Sequence, residues 1–183
     1  SDKLKSIFEK LKKGVYGPIY AVDETSDTTA ARNFIFEAVV AARCHRPKKG
    51  VETILDAESD TGIKIGNKKI WVECKRISTI ERIDPNVRKA SKQLENILID
   101  KVEPDHRGVV AIDISKILTP GDELYVKRND DHLIMSANRI MEQFIEEYSE
   151  IWQRIYTRRD KKIIGTIIHF RFISTSEERN LFV

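Results

Sequence analysis

Apolar residues recur along this chain in two rhythms, every three to four positions in some segments and every second position in others, and the alternation of the two lays out its elements. Ser1 to Lys13 sets Leu4, Ile7, Phe8 and Leu11 among lysines, the pattern of an amphipathic helix that Gly14 ends. Thr28 to Arg43 predicts a second helix, with Asp27 as N-cap and apolar residues on most sides from Ala30 to Ala42. The rhythm then shortens to two. Glu52 to Glu58, Gly62 to Ile65 and Ile70 to Ile77 read as three strands, the last two joined through the Gly66-Asn67 turn signal. After Asp84-Pro85 a helix is predicted over Val87 to Asp100, with Ala90, Leu94, Ile97 and Leu98 inward and a basic outer face. Gly108 to Ile114 and Ile163 to Ile173 are nearly all-apolar runs of the kind buried on both faces of a sheet. Between them Leu133 to Tyr156 carries apolar residues at 137, 141, 144, 148, 151 and 155 with no Pro or Gly, which predicts one long helix. The order helix, three strands, helix, strand, long helix, strand predicts an α/β fold with a mixed central sheet flanked by helices.

Composition narrows this picture without redrawing it. A chain of 183 residues, 40% hydrophobic and 33% charged, suits one domain over 1–183: a lead-in over 1–27, a core over 28–114, and the long helix and final strand over 115–183. No apolar run nears the roughly 20 residues of a membrane span, so no membrane association is expected. The seam on the long helix either packs across the sheet or forms a homodimer interface over 133–156. Cys44 and Cys74 belong to no CxxC pair or zinc-ligand cluster, which argues against disulfides and structural zinc and fits a reducing, cytoplasmic setting. The net charge is only +3, yet between Lys64 and Lys92 nine basic residues face three acidic ones. That local excess is the footprint of a polyanion partner.

Candidate chemistry concentrates in Ile70-Trp71-Val72-Glu73-Cys74-Lys75-Arg76-Ile77. Alternation puts Trp71, Glu73 and Lys75 on one face of the strand and Ile70, Val72 and Cys74 on the other. Glu73 and Lys75 could simply form a salt bridge on a solvated face. The hairpin adds weight to a second reading. If Gly66 and Asn67 are its two central residues, the residue opposite Glu73 is Asp60. Two carboxylates so placed repel unless a proton, an ammonium or a cation lies between them. A four-residue turn would set Asp60 opposite Lys75 and keep the cluster, whereas a three-residue loop would break it unless a bulge restored the parity. Asp56 and Glu58 share that parity as weaker candidates. Oxygen ligands suit a hard ion, Mg²⁺ or Mn²⁺. Glu37 lies on the most apolar helix and either escapes to solvent at the edge of its stripe or meets cations.

Glu37 on an opening helix, Asp60 before a strand, Glu73-Cys74-Lys75 on the next strand, and Lys89, Lys92 and Gln93 on the following helix together resemble the PD-(D/E)XK nuclease superfamily, of restriction-endonuclease-like fold. The resemblance covers residues 28–114 in order and element type. It implies that Asp60, Glu73 and the backbone carbonyl of Cys74 bind Mg²⁺ or Mn²⁺, and that Lys75 orients or activates the attacking water. It implies further that Glu37 serves a second ion or reaches the first through water, and that Gln93 positions the nucleophile. Ser59 stands where the family pattern has Pro, and Gln93 is placed by analogy. Lys68, Lys69, Arg76, Lys89 and Lys92 are expected to form one electropositive rim contacting phosphates. The function expected is a metal-dependent nuclease acting on nucleic acid, DNA first. The alternatives are a catalytically silent nuclease-like domain that binds nucleic acid or a protein, and an acid-base enzyme on a small phosphorylated substrate. The last is disfavoured by the lack of a glycine-rich phosphate loop.

Overall fold

The computed structural model describes residues 12, 29–54, 59–99, 105–119, 124–156 and 162–178. Apart from Lys12, the amphipathic segment expected over 1–13 lies outside them, as do the Asp27 cap and the candidates Asp56 and Glu58. Helix α1 spans Thr29–Cys44 and leads through a 3-10 turn, Pro47–Lys49, into β1 (Val51–Ile54). Strands β2 (Thr61–Ile65) and β3 (Lys68–Arg76) form the expected hairpin, in which Gly66 takes the positive φ of 58° that such a turn requires. A second 3-10 turn, Ile80–Arg82, opens α2 (Ile83–Ile99), which begins four residues earlier than expected because Pro85 is compatible with a helix's first turn. Strand β4 (His106–Asp113), the short α3 (Ser115–Leu118), β5 (Leu124–Lys127), α4 (Asp130–Glu147), α5 (Ser149–Tyr156), β6 (Ile163–His169) and β7 (Ile173–Ser176) complete the order.

Five strands form a mixed sheet in the order β1-β2-β3-β4-β6, antiparallel from β1 to β3 and parallel from β3 to β6. Helices cover both faces. On one, Phe36 and Val40 of α1 pack on Ile63, Val72, Cys74 and Ala111. On the other, Val87, Ala90, Leu94 and Leu98 of α2, with Trp152 and Ile155 of α5, pack on Trp71, Val110, Ile112 and Ile163. The alternation inferred for β3 is therefore the division between two cores. Trp71 is buried, its indole N–H donating to His106 Nδ1 at 3.3 Å.

Two expectations are corrected at the C-terminal end. The long helix is two helices, because the backbone turns at Tyr148 (φ −104°, ψ 22°). No Pro or Gly marks this break. Its cause is an aromatic cluster of Phe144, Tyr148 and Trp152, with the Trp152 indole donating at 3.1 Å to the Ile145 carbonyl, one of those a helix end leaves open. Phe144, Tyr148, Ile151 and Ile155 pack into the same core as α2, so the seam expected to offer a homodimer interface over 133–156 largely serves the chain itself. The run from Ile163 to Ile173 likewise divides at Phe170, where stacked Phe170 and Phe172 separate β6 from β7. Strand β7 pairs in parallel with β5 in a separate two-stranded ribbon. No helix among the described residues is long and apolar enough to cross a membrane.

Candidate active site

The hairpin register runs Thr61↔Val72, Gly62↔Trp71 and Ile65↔Lys68, so each pair obeys the two-residue turn inferred from Gly66-Asn67. Beyond Thr61, the last residue of β2 in register with β3, the side chains of residues 59 and 60 reach the β3 backbone. Ser59 Oγ accepts from the Val72 N–H at 3.3 Å and donates to the Thr61 carbonyl, while Asp60 Oδ2 accepts from the Cys74 N–H at 2.7 Å. Asp60 is thus fixed to the backbone of the strand that carries Glu73 and Lys75.

Lys75 Nζ lies 3.1 Å from Glu73 Oε2 and 3.5 Å from Asp60 Oδ2. The two carboxylates therefore converge on one ammonium, the arrangement that relieves their repulsion. Glu73 is only 3% exposed, and its burial, then the Asp60 carboxylate, push its carboxyl above the usual range against the pull of Lys75. Cys74 turns the other way. Burial raises its thiol strongly, followed by the charges of Asp60 and Glu37, so Glu37 acts here from the α1 side. Among the described residues no three His, Cys, Asp or Glu side chains come together as a metal site, so Glu37 does not join Asp60 and Glu73 in a three-carboxylate group.

Gln93 is half-buried on α2, its Oε1 shielded from solvent without a hydrogen-bond partner, and no bond joins it to the Lys75 cluster. Lys89 and Lys92 are exposed on the same helix, and Lys68 lies with Lys69 at the turn end of β3. Arg76 departs from the expected rim. By the parity of β3 it shares the face of Val72 and Cys74, where Arg76 Nε lies 3.4 Å from Asp113 Oδ2. Arg76, Asp113 and His169 are cross-strand neighbours at the C-terminal ends of β3, β4 and β6, with His169 Nδ1 3.6 Å from Asp113 and its ring against Phe36. Ser115 adds its N–H and hydroxyl to Asp113. A charge count along the sequence missed this buried network, although the even spacing from Val72 to Arg76 contains it.

The chain matches no protein-family model, no curated protein and no solved structure. What the cluster can do therefore rests on its chemistry. Two carboxylates, one pinned by a backbone amide and one crowded and desolvated, offer oxygen ligands to a hard divalent ion, and an ammonium stands between them.

Proposed function

We propose that this chain is a metal-dependent phosphodiesterase that hydrolyses nucleic acid, DNA in preference, on a restriction-endonuclease-like scaffold. The observation that carries the reading is the convergence of Asp60 and Glu73 on Lys75 where β2 parts from β3. The mixed sheet, with its antiparallel hairpin feeding parallel strands and a helix on each face, supports the scaffold assignment.

The residues fit a divalent ion of the Mg²⁺ class, which binds through one or two carboxylates and completes its shell with water and substrate phosphate. Asp60, Glu73 and the Cys74 carbonyl would hold it. Bound there, such an ion neutralises charge on the phosphate and makes a coordinated water more acidic. Asp60 keeps its orientation through the Cys74 amide, and Glu73 is held by the β3 core on either side of it. Lys75 Nζ, now shared by the two carboxylates, is the group that would orient the attacking water and stabilise negative charge developing on the phosphate.

The test incubates the purified chain with plasmid DNA, single-stranded DNA and RNA under Mg²⁺ or Mn²⁺. The parent should cleave, and Glu73→Ala and Lys75→Ala should each lose cleavage by about 10²-fold or more. The two losses differ in kind. Mg²⁺ at about 100 times its Kd should stabilise the parent by about 2.7 kcal/mol, seen as a rise in Tm; Lys75→Ala should keep that rise and Glu73→Ala should lose most of it. A parent that cleaves none of the three polymers and shows no metal-linked rise in Tm would leave a silent binding module.

A further inference from the structure

The fold brings two separate basic stretches to one end of the sheet. Arg43, Arg46, Lys48 and Lys49 stand at the end of α1 and in the turn before β1, and Lys64, Lys68 and Lys69 flank the β2–β3 turn. The pairings Arg46↔Val51, Val51↔Ile65 and Ile65↔Lys68 set these turns side by side across three strands. All seven are exposed except the half-buried Lys69. Glu52 and Asp105 are the described carboxylate residues on the adjoining strand ends, and among the described residues none of the seven forms an ion pair.

Lys64 and Lys69 are direct cross-strand partners, and like charges so placed repel; Glu52, opposite Lys64 on β1, offsets part of that repulsion and leaves the row with one positive charge in excess. A polyanion laid across the row would relieve the rest. Lys69 lies four residues from Glu73 along β3, about 13 Å by strand rise.

We propose that this end of the sheet anchors the phosphate backbone of the polynucleotide whose bond the Asp60–Glu73–Lys75 cluster would hydrolyse, an inference that rests on the reading above. A duplex advances about 3.4 Å per base pair, so the substrate has to run about four base pairs beyond the cluster to reach Lys69. The substrate class is thus a polymer, and a dinucleotide or free end too short to span that distance forfeits the anchor.

The test measures binding in EDTA, where no cleavage competes, by fluorescence anisotropy with duplex DNA of about 24 base pairs and with a dinucleotide, between about 50 and 200 mM salt. The parent should bind the duplex at least about tenfold more tightly. Lys48→Gln/Lys49→Gln and Lys64→Gln/Lys69→Gln should each flatten the slope of log K against log salt by about 2 and weaken the duplex about tenfold, with little effect on the dinucleotide. Lys64→Gln/Lys69→Gln should also keep the Tm, since the Lys64–Lys69 repulsion and the Glu52–Lys64 attraction are lost together, which separates lost contacts from lost folding. Unchanged affinity and slope in both variants would overturn the anchor. So would binding to anionic phospholipid vesicles without binding to duplex. Parallel cleavage under Mg²⁺ keeps the two readings apart: patch-dependent binding by a parent that never cleaves sinks the enzyme and keeps the anchor, whereas cleavage of long duplex indifferent to both double variants sinks the anchor alone.

Discussion

Burial by itself would raise the Asp113 carboxyl, but the His169 imidazole beside it and the bonds from Ser115 outweigh it and hold the group at about 2. A depressed folded pKa means that the unfolded chain takes up this proton first as pH falls. The stabilisation, worth about 2 kcal/mol, is therefore full above about pH 4 and lost as pH falls through about 2. Asp113→Asn should lower the Tm at about pH 6, where it leaves Arg76 buried beside a neutral amide, and the gap to the parent should narrow in acid. A constant gap would remove the carboxylate charge from the explanation. At this scale the strand alternation and the hairpin arithmetic already joined Glu73, Lys75 and Asp60. Two residues escaped that reasoning for different causes. Arg76 was counted with its sequence neighbours although its parity sends it to the opposite core, and Ser59 was read as a missing proline although its hydroxyl bridges the Thr61 carbonyl and the Val72 amide at the last pair of the hairpin.

Among the elements, α2 owes its close seat on β4 to Gly108, where an added Cβ would lie 3.2 Å from Leu98 Cδ1 and 3.3 Å from Leu94 Cδ1. Gly108→Ala should cost about 1 kcal/mol in urea unfolding, since crowding in a filled core exceeds the small gain from restricting the unfolded chain. Gly165 is the matched control. A Cβ there meets nothing within 4 Å, so Gly165→Ala should be neutral or stabilising by up to about 1 kcal/mol. Equal effects at the two positions would deny Gly108 its spacing role. The elements from α1 to β4 were legible because each carries one periodicity between clear turn signals. The later ones were not. The turn at Tyr148 follows from contacts among Phe144, Tyr148 and Trp152 that a helical repeat also accommodates, and the stop between β6 and β7 falls within a run of strand-forming residues.

For the whole molecule, the periodicities predicted a mixed sheet between helices, and that is the architecture found; the ribbon of β5 and β7 was beyond them, since its pairing joins Leu124 to Ile173 across both later helices. The ribbon divides the molecule energetically. Its two parallel strands lack the flanking strands that steady the central sheet, and they lean on α4 through Tyr125, Phe170 and Phe172 around a small apolar cavity of about 20 Å³. An assembly built this way opens piecemeal, its weakest cooperative unit exchanging with the surroundings while the remainder stays shut. Amide deuteration followed by mass spectrometry should therefore label 124–127 and 173–176 well before 70–76 and 108–113, and simultaneous labelling would show one cooperative unit instead. The clasp could then come undone and re-form many times in the lifetime of a single folded chain, with Asp60 never leaving Cys74.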